Sequence, residues 1–361
     1  MIKKIFFYVL SFFFLIFFIL VLDLLLSNTF IKQNHCVNYS EFYYELKKNC
    51  KGKYRFKSSF PLIRTYTDEL GLRVGKNSKI RNKENKNLFI FGDSFTYGVG
   101  IKYEQTFVGR IANDLNDYNV YNFGVGSYSP SVYLYKLKKI LDRNIKPEKV
   151  LIFLDLTDVI DESTRWKYDK TNNKVFLTTN RLYKYENTKK NNFKENNFKL
   201  LKNLSSYLNY HFRVLRSNVK LNLNNEYKVK TSIQGNFTYT PSSNLDKRFW
   251  KKNSFKNGLA TIEDRLNEIK NISKSEDFEL IIVVYPWAET LEFGQNEFSW
   301  SNYAKSLCKD NTCKIIDAIP DFINYKKNNK NWVTNLYFSN DEHFNTKGAE
   351  LLYNIIMKNL N

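Results

Sequence analysis

The stretch NLFIFGDSFTYGVG, from Asn87 to Gly100, decides the fold predicted for this chain. Its apolar run, Leu88 to Phe91, stops at a Gly-Asp pair, and Ser94 follows. A short apolar run bounded by turn residues is typical of a strand buried on both faces of a sheet. The turn after it has two interpretations: Ser94 only caps a turn, or the sheet presents Ser94 as a nucleophile.

Strand-like and helix-like patterns alternate along the rest of the chain. The strand-like runs lie at 87–91, 118–125, 149–156, 278–287 and 313–319. Segments with helical spacing of apolar residues lie at 104–116, 129–145, 258–272 and 345–360. This alternation predicts an α/β fold, with a parallel sheet covered by helices on both faces. In such sheets, functional residues gather at the C-terminal ends of the strands.

Residues 1–28 predict a membrane anchor. The run from Ile5 to Leu22 carries no charge, and a helix needs about 20 apolar residues to cross a bilayer. Lys3 and Lys4 precede it, which favours a cytoplasmic N-terminus. No A-x-A cleavage site follows, so an uncleaved signal anchor is favoured over a removed signal peptide. The body of the chain is therefore predicted outside the cytoplasm, in the periplasm or at the cell surface.

Composition divides the remaining chain into a polar lead-in and a main domain. Residues 29–85 are predicted to be a stalk and lead-in, although YTDELGLRV (66–74) has the pattern of a turn followed by a strand. Residues 86–361 form the main domain. Within it, residues at about 160–250 are rich in Lys, Asn and Tyr and lack long apolar runs, so they are interpreted as an insertion.

The formal charge of +20 raises the question of an anionic partner. The lysines are scattered among asparagines, and the sequence has neither a compact Arg-rich run nor a nucleic-acid-binding motif. We therefore expect no nucleic-acid partner. The expected partners are the membrane, through the N-terminal helix, and an acylated substrate; the sequence leaves the oligomeric state open.

Four cysteines in an oxidising compartment predict disulfide bonds. Proximity along the chain pairs Cys36 with Cys50 and Cys308 with Cys313, and two other connectivities remain open. Zinc is a rival interpretation, but neither pair has C-x-x-C spacing and His is scarce.

A nucleophilic serine needs a base, usually His, to accept its proton. The chain has three histidines: His35 in the predicted stalk, His211 in the predicted insertion, and His343 in FSNDEHFNTKG before the last helix. Asp341 lies two residues before His343, and a carboxylate there orients an imidazole and stabilises its cation. The sequence therefore predicts a catalytic Ser94, His343 and Asp341.

Three segments carry a resemblance to a known family. FIFGDSFTYG, NFGVGSYSP and DEHFNTKG resemble the first, second and fifth sequence blocks of the SGNH, or GDSL-like, hydrolases. The resemblance spans residues 66–360 and is interrupted by the insertion. It implies a flavodoxin-like three-layer α/β/α fold and ester chemistry through Ser, His and Asp, with no metal or other cofactor. Ser94 matches the nucleophile, and its backbone N–H matches one oxyanion donor.

The chain departs from the family pattern at three places. The backbone donor of the second block falls on Ser127, with Gly126 just before it. The third block usually reads G-x-N-D, but here reads DLTD, so Thr157 replaces the Asn that donates to the oxyanion. The acid of the fifth block commonly stands at the position of Asn340. The variant found in polysaccharide acetylation proteins of this fold fits Asp341, and the alternative is a dyad without a carboxylate.

Two further groups of residues have open interpretations. Tyr285 and Trp287 end a core strand and would either form an aromatic wall for a sugar or acyl group, or pack beneath a loop. The carboxylates near the third strand end raise the question of a metal site, but without His or a set spacing they are poor evidence for one. These carboxylates are Asp155, Asp158, Asp161 and Glu162.

The function expected from the sequence is a membrane-anchored, extracytoplasmic SGNH-type esterase or O-acyltransferase. Its substrate would be an ester-linked acyl group, acetyl included, on a cell-surface glycan or a small ester. The alternative is a non-catalytic envelope or polysaccharide assembly protein that keeps the fold for glycan binding. Thr157 in place of Asn favours that alternative, and the retention of Ser94, Asp341 and His343 opposes it.

Overall fold

The computed structural model describes residues 2–29, 36–40, 43–56, 60–78, 81–178, 208, 254–295, 298–309, 311–338 and 341–360. His35, His211, Asn340 and most of the predicted insertion lie outside the described residues. The chain divides into two compact units. One consists of Met1–Asn34, Arg55–Pro61 and Thr179–Tyr227, and the other of His35–Tyr54, Leu62–Thr178 and Lys228–Asn361.

The first unit contains helix α1 (Ile2–Thr29). Its segment Lys4–Asp23 is 20 residues long and apolar enough to cross a membrane, as the sequence predicts. The large apolar side chains along this segment are exposed, so they do not form a protein core. A signal sequence would have the same length and composition.

The second unit contains short β-structure followed by an α/β domain. Its strands, in chain order, are β1 (Val37–Tyr39), β2 (Tyr44–Leu46), β3 (Lys51–Tyr54), β4 (Ile63–Thr67), β5 (Arg73–Val74), β6 (Lys86–Phe91), β7 (Tyr118–Asn122), β8 (Lys149–Leu154), β9 (Trp166–Asp169), β10 (Lys174–Leu177), β11 (Glu279–Val284) and β12 (Lys314–Asp317). Its helices are α2 (Ser94–Tyr97), α3 (Phe107–Asp114), α4 (Pro130–Leu141), α5 (Leu156–Thr164), α6 (Ser254–Glu276), α7 (Ala288–Phe293), α8 (Trp300–Leu307), α9 (Ile319–Asn328), α10 (Trp332–Leu336) and α11 (Thr346–Leu360).

A five-stranded parallel sheet forms the centre of this unit, in the order β12-β11-β8-β6-β7. The run Val150–Leu154 of β8 is buried at every residue, because side chains on both faces of the sheet are covered. The α/β architecture predicted from the sequence is therefore confirmed.

The connections place helices on both faces of the sheet. The connection from β6 to β7 through α3 leads towards one edge strand of the sheet. The later crossovers, from β7 to β8, from β8 to β11 and from β11 to β12, lead towards the opposite edge strand. Because parallel crossovers are right-handed, α3 covers one face and α4, α6 and α8 cover the opposite face. Helix α11 packs beside α3. The sheet thus brings the C-terminal ends of β6, β8 and β11 to one edge.

Two small antiparallel sheets, β1-β2 and β3-β4-β5, occupy the segment interpreted as stalk and lead-in. The structure joins Cys36 to Cys50 around the β1–β2 hairpin, and Cys308 to Cys313 just before β12. Regular structure also continues past residue 160, through α5 and the antiparallel hairpin β9–β10, as far as Leu177.

Candidate active site

Ser94 is the first residue of α2, directly after the turn that ends β6. Asp93 caps this short helix, since its Oδ1 accepts the N–H of Phe95 at 2.9 Å. Gly92 is required because a Cβ there would lie 2.0 Å from Thr96 Oγ1. The turn therefore holds the half-buried Ser94 at the C-terminal end of a central strand.

The second sequence block packs directly on α2. The side chain of Asn122 accepts the N–H of Gly124 at 2.9 Å and donates to the carbonyl of Thr96 at 3.3 Å. A Cβ on Gly124 would lie 2.6 Å from the backbone nitrogen of Tyr97, so only glycine permits this approach. Asn122 thereby fixes the second block against the helix that carries Ser94.

The buried guanidinium of Arg73 holds the segment that follows α2. It donates to the carbonyls of Gly98 at 2.8 Å and Ile101 at 2.7 Å, and also to the carbonyl of Tyr97. It also lies over the Tyr97 ring, 4.5 Å from the ring centroid. Sequence reasoning missed Arg73; the available signal was a charged residue inside the apolar pattern LGLRV.

His343 and Asp341 share a turn that precedes α11. An antiparallel bridge between Tyr337 and Phe344 closes this turn. Both side chains are buried, and His343 Nδ1 bonds to the carboxylate of Asp341, which also accepts the His343 backbone N–H at 3.1 Å. The imidazole lies 5.0 Å from the ring of Phe95, the residue after Ser94. The structure therefore packs the predicted base, bonded to its acid, against the residue that follows the predicted nucleophile.

The surroundings of His343 favour its protonated form. Burial lowers the pKa of the imidazole, but the hydrogen bond to Asp341 and the charges of Glu342, Asp341 and Asp93 outweigh burial, so the pKa of His343 is raised. A raised pKa makes His343 a stronger base towards a serine hydroxyl.

The hydroxyl of Ser94 donates to Asp93 Oδ2 at 3.1 Å. Within the described residues it makes no hydrogen bond to His343. In this rotamer the Ser94 hydroxyl is therefore bonded to Asp93 and not to the predicted base.

A second buried carboxylate, Asp155, lies beside Asp93. Tyr285 Oη donates to Asp155 Oδ2 at 2.8 Å, and Trp287 Nε1 donates to the same oxygen at 3.0 Å. Both aromatic side chains are buried, which agrees with packing beneath a loop rather than with an exposed wall. Burial raises the pKa of Asp93 to about 7, and the charge of Asp155 adds to that shift.

Thr157 is engaged with the same two carboxylates. Its Oγ1 lies 2.5 Å from Asp155 Oδ1 and 3.1 Å from Asp93 Oδ2, and its backbone N–H donates to Asp155 at 2.7 Å. A hydroxyl carries one proton, so in this arrangement the Thr157 proton is donated to a carboxylate.

The oxyanion donors predicted from the sequence are the backbone N–H groups of Ser94 and Ser127. Among the described residues, neither the Ser94 N–H nor the Ser127 N–H donates to a protein acceptor. Ser127 has a φ of 59°, in the left-handed region that favours glycine, and the family pattern has Gly at this position. Gly126 is adjacent, since a Cβ built on it would lie 3.9 Å from Ser94 Cβ.

The other acidic residues after β8 have structural partners. Asp155 and Asp158 form a reciprocal capping box at the start of α5. Asp161 pairs with Arg165 at 2.8 Å, and Glu162 accepts the N–H of Ser131 at 2.6 Å at the start of α4. These contacts account for the acidic strand end without a metal ion.

Asp341, Glu342 and His343 bring three atoms that could ligate a metal within 4.8 Å of one another. Two of these three side chains, His343 and Asp341, are hydrogen-bonded to each other.

Residues 1–271 match the model of DUF1574, a family described as proteins of unknown function. The chain belongs to the DUF1574 family. A search of curated proteins finds no match to the sequence.

Solved structures that resemble this DUF1574 protein are G-D-S-L family proteins and acetyl xylan esterases. A lipolytic G-D-S-L family member from Veillonella parvula has 10% identity and a TM-score of 0.42, covering 76% of this chain and 97% of its own. The acetyl xylan esterase AlAXEase has 14% identity and a TM-score of 0.41, covering 76% and 100%. The acetylxylan esterase Axe2 from Geobacillus stearothermophilus has 12% identity and a TM-score of 0.39, covering 78% and 97%. Because these identities and TM-scores are low, the likeness does not show what this chain does. Its activity has to be inferred from the residues of the site.

Proposed function

We propose that this DUF1574 protein is a membrane-anchored, extracytoplasmic serine esterase or O-acyltransferase. Its substrate would be an acyl group, acetyl included, ester-linked to a cell-surface glycan. The observation that supports the proposal is the buried, bonded His343–Asp341 pair, whose imidazole packs on the ring of Phe95, the residue after Ser94. A hydroxyl, an oriented imidazole and available N–H donors are the groups that acyl transfer requires.

In the proposed reaction, Ser94 Oγ attacks the carbonyl carbon of the ester as His343 Nε2 accepts the hydroxyl proton. The new Oγ–C bond moves the carbonyl π electrons onto oxygen, and the N–H groups of Ser94 and Ser127 stabilise that charge. When the carbonyl re-forms, the bond to the alcohol oxygen breaks and His343 returns the proton to that oxygen. An acyl-Ser94 enzyme and a free alcohol result.

A second nucleophile then releases the acyl group. If water donates its proton to His343 and attacks acyl-Ser94, the products are a carboxylic acid and free Ser94. If a sugar hydroxyl attacks in the same way, the acyl group passes to a new glycan. In both steps the Asp341 carboxylate stabilises the imidazolium and holds its Nδ1–H.

The hydrogen bonds of the Thr157 hydroxyl to Asp155 and Asp93 bear on the expected catalytic rate. With its proton on a carboxylate, the oxyanion has backbone donors and no side-chain donor from this block. Loss of one oxyanion donor costs about 10²–10³-fold in kcat. We therefore propose a slow enzyme, or one in which the substrate repositions Thr157.

The N-terminal helix supports an extracytoplasmic location and a cell-surface glycan as the substrate. The segment Lys4–Asp23 is compatible with a single membrane span, and the two Cys pairs are bonded, as an oxidising compartment permits. An anchored enzyme outside the cytoplasm would meet the acylated glycans of the cell surface.

Ester hydrolysis by the full-length protein in detergent micelles tests the proposal. We expect hydrolysis of p-nitrophenyl acetate, faster than of longer acyl esters, and a fall of at least about 10³-fold in Ser94→Ala and His343→Ala. Ser306→Ala, which removes an exposed hydroxyl on α8, should retain the wild-type rate. Equal rates in wild type and Ser94→Ala would reject Ser94 as the nucleophile.

A non-catalytic glycan-binding protein is the second candidate. It is favoured by the Ser94 hydroxyl bonding to Asp93 and by the engaged Thr157. It predicts that acetylated glycan binds equally to wild type and Ser94→Ala while no acetate is released. Acetate release that depends on Ser94 would reject it.

A further inference from the structure

Tyr44, in the β1–β2 hairpin, contacts the loop that carries the proposed oxyanion donor Ser127. Tyr44 Oη donates to the carbonyl of Gly126 at 2.7 Å, and Tyr128 Oη donates back to the carbonyl of Tyr44 at 2.6 Å. The Arg165 guanidinium approaches Tyr44 Oη at 3.5 Å as a donor, which leaves the phenol proton for Gly126. Hydrogen bonds donated by each side therefore connect the hairpin to the loop.

The carbonyl on the other side of Ser127 is held as well. Trp166 Nε1, from β9, donates to the Ser127 carbonyl at 2.7 Å. The Trp166 ring lies 5.5 Å from the Tyr44 ring, so the two donors pack together. The two peptide units that flank Ser127 are thus fixed by side chains from two elements outside the parallel sheet.

Fixing the Gly126 carbonyl also fixes the Ser127 N–H. The two groups belong to one planar trans peptide and point in opposite directions. Ser127 adopts a φ of 59°, a conformation that is strained for a non-glycine residue and persists only where its surroundings hold it. The Tyr44 hydroxyl supplies such a restraint.

We propose that Tyr44 is a positioning residue that aims the Ser127 N–H at the substrate oxyanion, an inference that rests on the proposed function. The segment before the α/β domain then forms part of the catalytic apparatus. The disulfide between Cys36 and Cys50 encloses the hairpin, and the backbone N–H of Lys47 donates to the Cys36 carbonyl at 2.8 Å.

Tyr44→Phe in the full-length protein tests this role, because it removes only the hydroxyl. Tyr43→Phe is the matched control, because it also removes one hydroxyl from this hairpin. The Tyr43 hydroxyl donates to Glu45 at 2.7 Å and does not contact the loop. We expect kcat for p-nitrophenyl acetate to fall about ten- to a hundred-fold in Tyr44→Phe, with KM within about two-fold. Trp166→Phe should lower kcat in the same way, and Tyr43→Phe should stay within about two-fold of wild type.

Hydrogen exchange provides a readout that needs no activity. The Tyr128 N–H bonds to the Val125 carbonyl at 3.0 Å, so a loosened loop exposes it. In peptides covering residues 122–129, exchange should be faster in Tyr44→Phe than in wild type or Tyr43→Phe. Wild-type kcat together with unchanged exchange in Tyr44→Phe would overturn the inference. If the wild-type protein hydrolyses no ester, the proposed function fails, and the exchange rates still decide whether Tyr44 holds the loop.

Discussion

His343 lies among carboxylates that raise its pKa, although burial acts in the opposite direction. Since only the neutral imidazole can accept the Ser94 proton, kcat/KM should rise with pH through an inflection above the usual 6.5. Asp341→Asn removes the hydrogen bond and charge that stabilise the imidazolium. It should lower kcat by about 10³–10⁴-fold and move the inflection to lower pH.

The measurement is kcat/KM for p-nitrophenyl acetate from about pH 5 to about pH 9. Glu342→Gln is the control, because it removes a neighbouring charge without the hydrogen bond, and it should move the inflection less. An inflection that stays in place or moves upward in Asp341→Asn would show that Asp341 does not support His343.

The Asp93–Asp155 pair should make stability depend on pH. The pKa of Asp93 is about 7 in the folded protein, against 3.8 for an unperturbed side chain, so between these values the folded state binds a proton that the unfolded state has lost. Stability therefore falls as pH rises through this window, by at most about 1.4 kcal/mol per pH unit for one group. Asp155→Asn removes the neighbouring charge and should flatten this dependence.

Thermal midpoints of the full-length protein at about pH 5, 6 and 7 would measure this effect. Asp117→Asn, at an exposed acid, should leave the slope as in wild type. The interpretation of the acid pair would be wrong if Asp155→Asn steepened the slope.

The sequence could single out Ser94, His343 and Asp341 as candidates, because each lies in a short motif whose chemistry is local. It could not identify Tyr44 as a partner of the oxyanion loop, since the hydrogen bond joins residues 82 positions apart. It left open whether Thr157 replaces the usual Asn as a donor, and it could not show that the Thr157 hydroxyl contacts two acids that follow different strands.

At the scale of elements, Arg73 joins β5 to the segment after α2. Arg73→Met would leave the carbonyls of Tyr97, Gly98 and Ile101 without their donor and should destabilise the protein by about 2–5 kcal/mol. Urea unfolding of the full-length protein would measure the change. Arg64→Met, at an exposed position on the adjacent strand β4, should change the free energy of unfolding by less than about 0.5 kcal/mol. A similar effect for both variants would remove Arg73 from this role.

Elements with a continuous apolar run or a clear apolar period could be predicted, and short polar elements could not. Strand β8 and helix α11 appear where the apolar pattern places them, because burial requires that pattern. Strands β1 and β2 have three residues each, too few for a period, and they form by pairing with each other inside a disulfide-closed loop. Helix α5 begins at a capping box whose acids have the composition of a loop.

For the whole molecule, the proposed function requires that helix α1 anchors the chain in the membrane by a single span. An alkaline phosphatase reporter fused after residue 30 should be active outside the cytoplasm and remain in the membrane fraction. Changing Lys3 and Lys4 to Glu should reduce the active fraction, since these charges favour a cytoplasmic N-terminus. Release of active reporter into the soluble fraction would show that the segment is a cleaved signal sequence.

Covalent labelling decides whether Ser94 is an activated nucleophile. Full-length protein in detergent would be treated with a fluorophosphonate probe, and the adduct would be located by mass spectrometry. We expect a single adduct, on Ser94. It should be absent in Ser94→Ala, weaker in His343→Ala and unchanged in Ser306→Ala. Folded wild-type protein that takes up no probe, or carries the adduct on another residue, would contradict it.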